Sequence, residues 1–226
     1  MIPKDLKPDS HPVIFNIHGG FLVYGHSLFA PFFSPWVIKL ALENSAVVVS
    51  PDYRLLPSAN GVADVLEDLE DFWQWTRSHL PEVLEHHAPG HSTDLSRLLL
   101  TGNSAGGYGV MQLALSHPND VSAIAVAYPL VDPKDKIFVK GPTDEDPTIL
   151  RFPLKDIPSK NDVVTSIDEA RKTITSKAEL ERTPFAVGAT QYGLFNSEIF
   201  DSSNLNRTDF LPMERIRAGA KLPKKM

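Results

Sequence analysis

The chain has 226 residues and 25.0 kDa, no cysteine, and 22 Lys+Arg against 28 Asp+Glu, for a formal charge of −6. The missing cysteines exclude disulfides, thiolate metal sites and cysteine nucleophiles. The modest acidic balance argues against a nucleic-acid binder, which needs a basic stripe, and 42% hydrophobic residues suffice for a core without staples.

The opening MIPKDLKPDSHP is polar and proline-bearing, unlike the apolar core of a signal peptide, and no run approaches the roughly 18 apolar residues of a membrane span. Expected localisation is therefore cytoplasmic. The terminal Lys224-Lys225-Met226 resembles a peroxisomal address only weakly, because a lysine stands where a small residue is wanted.

Strand and helix signals alternate through residues 1–132. Strands are expected near 13–17, 46–50, 98–101 and 121–127, each a short run rich in Val, Ile, Leu or Ala. Helices are expected at 35–44, 61–79 and 105–117. In the second of these, Val62, Leu66, Leu69 and Trp73 share one stripe, while Asp64, Glu67, Asp68 and Asp71 fall on other faces. Such alternation predicts an α/β fold, a parallel sheet with helices on both faces. Residues 133–182 then carry 10 basic and 10 acidic residues with five prolines, and read as a charged, cap-like insertion lying on the more apolar scaffold of a single domain, 1–226.

The strongest chemical signal is G-N-S-A-G at 102–106, between a predicted strand and a predicted helix. Glycines on both sides allow a strained turn that projects Ser104 at a helix N-terminus, where the Ala105 amide and the helix dipole can stabilise an oxyanion. The competing reading is a glycine-rich turn or phosphate cradle with an incidental serine. A second signal, HGG at 18–20, ends the first strand and can aim backbone N–H groups at a substrate oxygen.

With HGGF (18–21), SPDYRLLP (50–57) and GNSAGGY (102–108), the sequence resembles the hormone-sensitive-lipase-like carboxylesterases, the alpha/beta hydrolase fold-3 family, and its wording is most similar to fungal members. The resemblance implies Ser104 as nucleophile, Gly19, Gly20 and Ala105 as oxyanion-hole donors, and His18, Gly102 and Gly106 as motif-supporting residues. Tyr53 and Arg54 would be packing residues. It also implies a small-molecule carboxylic ester as substrate, no cofactor and no metal, and a sheet order that leaves strands 46–50 and 121–127 at the two edges. Those edges are apolar and uncharged, so self-association is expected.

The sequence departs from the family at Phe21, where a third glycine is usual, at Asn103, usually acidic, and at Ser58, often Glu. The triad order of the family is Ser, Asp, His. Only His117 follows Ser104, and it lies about 20 Å along the next helix, far beyond hydrogen-bond reach. Residues 209–223 resemble the approach to the strand that presents the acid, so the part bearing Asp and His is expected to be absent, as are two leading strands. Neither Asp201 nor Asp209 takes the acid role.

Remaining candidates divide less sharply. His86, His87 and His91 suggest a metal cluster but read better as solvated loop histidines, and His26 reads as a loop-orienting residue near the HGG turn. Asn206-Arg207-Thr208 is a sequon without a secretory signal. Phe29, Phe32, Phe33 and Trp36 suit an acyl pocket and core packing equally. Three functions stay open: a serine ester hydrolase, weak or inactive without Asp and His; a non-catalytic relative that binds a small molecule or a protein partner; and a tailoring hydrolase of fungal secondary metabolism.

Overall fold

In the computed structural model, which describes residues 1–4, 6–143, 147–200 and 207–223, four strands form one parallel sheet. These are β1 (Ser10–Ile17), β2 (Val47–Val49), β3 (Ser92–Asn103) and β4 (Ala123–Ala127), in the order β2-β1-β3-β4. This is the expected order, with β1 and β3 central. Asp201, Asn206 and Lys224-Lys225-Met226 lie outside the described residues.

Strand residues alternate between two cores because successive side chains leave opposite faces. Val13, Phe15 and Ile17 of β1 enter the larger core with α2 (Val62–Ser78) and α4 (Ala105–Ser116). Ile14 and Val48 face the other way, onto Val37 and Ala41 of α1 (Pro35–Glu43). On α2 the buried stripe runs through Val62, Val65, Leu69, Trp73 and Thr76, with Leu66 only half-buried. Asp64, expected on a solvated face, is buried as well, because Arg54 and Asn60 reach it.

Three expectations need correction. β3 begins at Ser92, well ahead of the apolar run, since ladder pairing uses backbone groups and does not require apolar side chains. His86 and His87 close a further helix, α3 (Leu80–His87), where the dipole favours basic groups; they are not loop residues. His91 pairs with buried His11. His11 Nδ1 donates to the Ser45 carbonyl (2.9 Å), which leaves Nε2 to accept from His91 Nδ1 (2.9 Å). Among the described residues no group of three potential metal ligands forms.

The charged segment is bound more deeply than its composition suggests. It folds into α5 (Lys136–Lys140), short turns and α6 (Lys160–Ala170), followed by α7 (Thr183–Gln191) and α8 (Pro212–Arg217). Val163, Ile167 and Ala178 join the larger core, and Ala178 pairs with Gly25 in an isolated antiparallel bridge. At the β2 edge, Val48 N–H donates to the Met1 carbonyl (3.0 Å) and the Met1 ammonium to the Val48 carbonyl. The outer edge of β4 has no backbone partner among the described residues. No described helix is long and apolar enough to cross a membrane.

Trp73 is 1% exposed and Trp36 is 42% exposed. Trp73→Ala is expected to cost about 3–5 kcal/mol and Trp36→Ala under about 0.5 kcal/mol, measured by urea denaturation. Comparable losses would show that α1 contributes its tryptophan to the core.

Candidate active site

β3 runs directly into α4, and Ser104 occupies the corner at φ 53°, ψ −120°. Three glycines make this corner possible. A Cβ on Gly102 would stand 2.6 Å from the Gly106 carbonyl carbon, on Gly106 2.2 Å from the Ile17 carbonyl oxygen, and on Gly107 2.6 Å from Pro129 Cβ. Ser104 N–H donates to the Ala127 carbonyl (3.0 Å) and Leu130 N–H to the Ser104 carbonyl (3.0 Å), which ties the corner to the end of β4. The Ser104 hydroxyl makes no hydrogen bond among the described residues. It stands at the positive end of a 12-residue helix whose first N–H groups, Ala105 among them, have no partner within the helix.

The HGG turn lies against this corner. A Cβ on Gly19 would be 3.8 Å from Ser104 Cβ and 3.1 Å from the Asn103 carbonyl oxygen. Gly20 has φ 107°, and its carbonyl accepts from Val23 (2.8 Å) and Tyr24 (3.0 Å), closing a tight turn. Phe21, at the position where a third glycine is usual, sits at φ 57°, in the left-handed region that glycine enters freely. The turn keeps a glycine-like backbone although the residue is phenylalanine.

His18 fixes the turn from behind. Its ring is buried and stacked on Tyr53 at 4.3 Å and 7°, and Nδ1 donates to the Gly19 carbonyl (2.8 Å). Because the N–H and C=O of a trans peptide point in opposite directions, this bond turns the Gly20 N–H away from the imidazole. Tyr53 O–H donates to the His18 carbonyl (3.0 Å). Burial lowers the His18 pKa to about 4, so the ring is neutral at pH 7. Arg54, expected to be a packing residue, instead pairs with Asp64 (3.0 Å), Glu67 (2.6 Å) and Asp68 (2.8 Å), because its side chain reaches back over the first turns of α2. Burial opposes ionisation of Asp64, yet hydrogen bonds from Asn60 and the Arg54 charge hold its carboxyl below the usual range.

Two cavities, of about 580 Å³ and 410 Å³, meet at Ser104. Gly19, Gly20, Phe32 and Phe33 line the smaller; Ala105, Leu130 and Phe138 line the larger. Of the predicted aromatic cluster, Phe29 is buried, packing edge-on to Phe32, and Trp36 lines neither cavity. Asp132 and Asp135 of the larger cavity escaped the sequence reading, since isolated acids in a charged segment carry no spacing signal; each caps a turn, accepting from Lys134 N–H (3.1 Å) and Ile137 N–H (3.0 Å). No histidine lines either cavity among the described residues. His117 is engaged elsewhere, with Nε2 2.8 Å from Glu70 Oε2 and its ring stacked on Trp73. His26 packs on Phe29 and accepts from Leu28 N–H (3.3 Å), which orders the following turn. Asn103 donates to Ser34 Oγ (2.7 Å), and Ser58 to the Gly61 carbonyl (3.0 Å).

A family model described as alpha/beta hydrolase fold matches residues 14–172. The chain is 42% identical over 118 residues to the probable carboxylesterase M8 of Phoma sp., a match covering 52% of this chain and 37% of that protein. It is 44% identical over 75 residues to the probable carboxylesterase clz11 of Cochliobolus lunatus, covering 33% and 34% respectively. It thus spans about a third of the length of these curated relatives. Among solved structures it superposes on a fungal esterase from Rhizomucor miehei with TM-score 0.58 at 18% identity, covering 99% of this chain and 56% of that one, a likeness of fold.

A histidine with a folded-state pKa near 4 and an unfolded value near 6.5 contributes stability above pH 6.5 that is lost as pH falls toward 4. The size is on the order of 3 kcal/mol. His18→Asn keeps a donor for Gly19 without a titrating ring, so its stability, followed by urea denaturation, should be flatter between pH 6.5 and 4 than that of the parent. Identical slopes would mean that His18 is hydrated and titrates normally.

Proposed function

Because the chain belongs to the alpha/beta hydrolase fold family, we propose that it is a serine hydrolase of carboxylic esters. Ser104 is the nucleophile, and the N–H groups of Gly19, Gly20 and Ala105 receive the oxyanion. The observation that carries this reading is the left-handed Ser104 at the start of α4, at the junction of two cavities, one of them lined by Gly19 and Gly20. In the reaction Ser104 Oγ bonds to the ester carbonyl carbon and gives up its proton, and the carbonyl oxygen becomes an oxyanion within reach of the turn and helix amides. Collapse expels the alcohol, which takes a proton, and water then cleaves the acyl-serine to release the acid. Segment 133–182 acts as the cover of the site, since Asp135, Ile137, Phe138, Ile149 and Leu150 line the larger cavity.

With no imidazole lining the cavities among the described residues, proton transfer from Ser104 falls to water or to a weak base. Loss of the base in a triad enzyme costs on the order of 10⁶ in kcat, with about 10³–10⁴ over water retained through the oxyanion donors and binding. The 226-residue chain is therefore expected to hydrolyse p-nitrophenyl acetate far below the enzyme median of about 10 s⁻¹. A fluorophosphonate should label it slowly, at Ser104 alone, as read by mass spectrometry. Turnover near the median that disappears in Ser104→Ala would show a base supplied from outside the two cavity walls. Labelling elsewhere, with Ser104→Ala unchanged, would favour the non-catalytic small-molecule binder.

We also propose that the chain self-associates through β4. Its Ala123–Ala127 run has an outer edge without a backbone partner among the described residues and carries neither charge nor proline to block pairing. Sedimentation at tens of micromolar should show species larger than 25 kDa; a lone monomer would refute the edge contact.

A further inference from the structure

Four residues line both cavities: Phe21, Ser104, Tyr128 and Leu150. All four are non-glycine residues in the left-handed region, at φ 57°, 53°, 39° and 53°. The described residues include only seven such positions, so the seam between the cavities holds most of them. Left-handed backbone is unfavourable for side chains with a Cβ and persists only where the surroundings impose it. For Ser104 the corner between β3 and α4 imposes it, and for Phe21 the turn closed by Gly20 does.

Tyr128 and Leu150 differ from the other two in that folding gains little from their side chains. Each is 76% exposed, although Tyr and Leu are among the residues with the most to gain from burial. Tyr128 directly follows β4, next to the Ala127 carbonyl that ties Ser104 in place, and Leu150 sits in a short turn of the covering segment. Two large side chains, held in an unfavourable backbone and left in water along the seam that Ser104 also lines, contribute little to the core. Such features gather where a ligand makes use of them.

We propose that Tyr128 and Leu150 form a divide over Ser104 that selects esters with a bulky apolar group on each side of the carbonyl. This rests on the reading of the site as an ester site. With the carbonyl carbon at Ser104 Oγ, the acyl and alkoxy substituents diverge from it, and each can enter one of the two cavities that share Ser104. At about 410 and 580 Å³ each cavity alone falls in the range that holds a drug-sized ligand. An acetyl group would leave one of them nearly empty. Phe32 and Phe33 on one side, and Ile137 and Phe138 on the other, present apolar walls to both substituents. A two-armed ligand buries the Tyr128 and Leu150 side chains between its arms, which supplies the burial that folding does not.

The test separates binding from chemistry by using ketones, which have no leaving group. Bis(phenylethyl) ketone fills both arms, and phenylethyl methyl ketone fills one; titration calorimetry compares them on the full chain. The two-armed ketone should bind at least about tenfold tighter, the gain expected from burying one more phenyl group. Tyr128→Ala and Leu150→Ala should each reduce that ratio several-fold. Leu150→Gly supplies a readout that a structural role would not give: glycine accepts φ 53° without strain, so the thermal midpoint should hold or rise while the preference for two arms falls. Equal affinity for the two ketones, or a ratio unmoved by these variants, overturns the proposal. Fluorophosphonate labelling of Ser104 on the same samples reports on the nucleophile alone. Labelling without ketone discrimination refutes the divide and leaves the hydrolase reading intact; discrimination without labelling supports the divide and refutes the nucleophile.

Discussion

The Ile17 carbonyl oxygen lies 2.2 Å from where a Cβ on Gly106 would be, and the geometry of the site follows from that contact. Only a glycine lets the first turn of α4 press against the end of β1, the strand that continues into the HGG turn. The contact repeats one turn on, where a Cβ on Gly109 would meet Leu69 Cδ1 at 2.8 Å and Ile17 Cδ1 at 3.2 Å. Glycine within a helix costs about 1 kcal/mol relative to alanine, yet α4 is buried from Ala105 through Leu115, and a helix so enclosed draws its stability from packing. Loosening the approach by the width of one methyl group would move Ser104 away from Gly19 by a similar distance. For the proposed ester site, whose oxyanion donors would have to lie at hydrogen-bond range, that displacement is large.

Support for the turn comes from the loop after β2, which carries opposite kinds of interaction on consecutive residues. Tyr53 points inward, stacked on His18, with its hydroxyl on the His18 carbonyl; Arg54 points outward to three carboxylates of α2. Exposed ion pairs contribute little, but the Asp64 side chain is only 4% exposed, and Asn60 and the guanidinium offset the cost of burying its carboxylate. The cluster therefore acts as a specific anchor more than as a general stabiliser. It holds the loop against α2, and the loop holds His18, whose neutral ring in turn holds Gly19. Gly25 completes the arrangement, since a Cβ there would fall 2.5 Å from His18 Nδ1.

What the sequence made legible was local. Continuous runs such as VVV and LLL announced strands buried on both faces, and G-N-S-A-G announced a strand-to-helix corner, because both signals lie within a few consecutive residues. Asp64 looked solvated because helical periodicity records which face a residue occupies and not that Arg54, ten positions earlier, comes back to meet it. His11 and His91 stand 80 positions apart, and nothing local joins them before β1 and β3 pair. Residues 133–182 read as a solvated layer because charge dominates their composition, yet Val163 and Ile167 on one side of α6 suffice to seat that helix in the core. The part of the larger cavity's wall formed by Ile137, Phe138, Ile149 and Leu150 was illegible for the same reason: it comes from a segment whose apolar residues are few and whose register is set by contacts with the rest of the fold.

Stability and strain are therefore kept apart in this molecule. The ordered interior lies in β1, β3, α2 and α4, where Val13, Phe15, Leu98, Leu100, Trp73 and Tyr108 are each at most 1% exposed. Four of the seven described left-handed residues other than glycine gather beyond the carboxyl ends of the sheet strands: Phe21 and Leu22 after β1, Ser104 after β3, Tyr128 after β4. At about 1–2 kcal/mol each for a residue with a Cβ, these conformations together approach the whole net stability of an ordinary domain, about 5–15 kcal/mol. They are sustained because the strands cannot shift without opening a core packed at close to crystalline density. A sheet whose interior is this rigid can hold several unfavourable backbone conformations at one end, and that end is where the HGG turn, the serine corner and the two cavities meet.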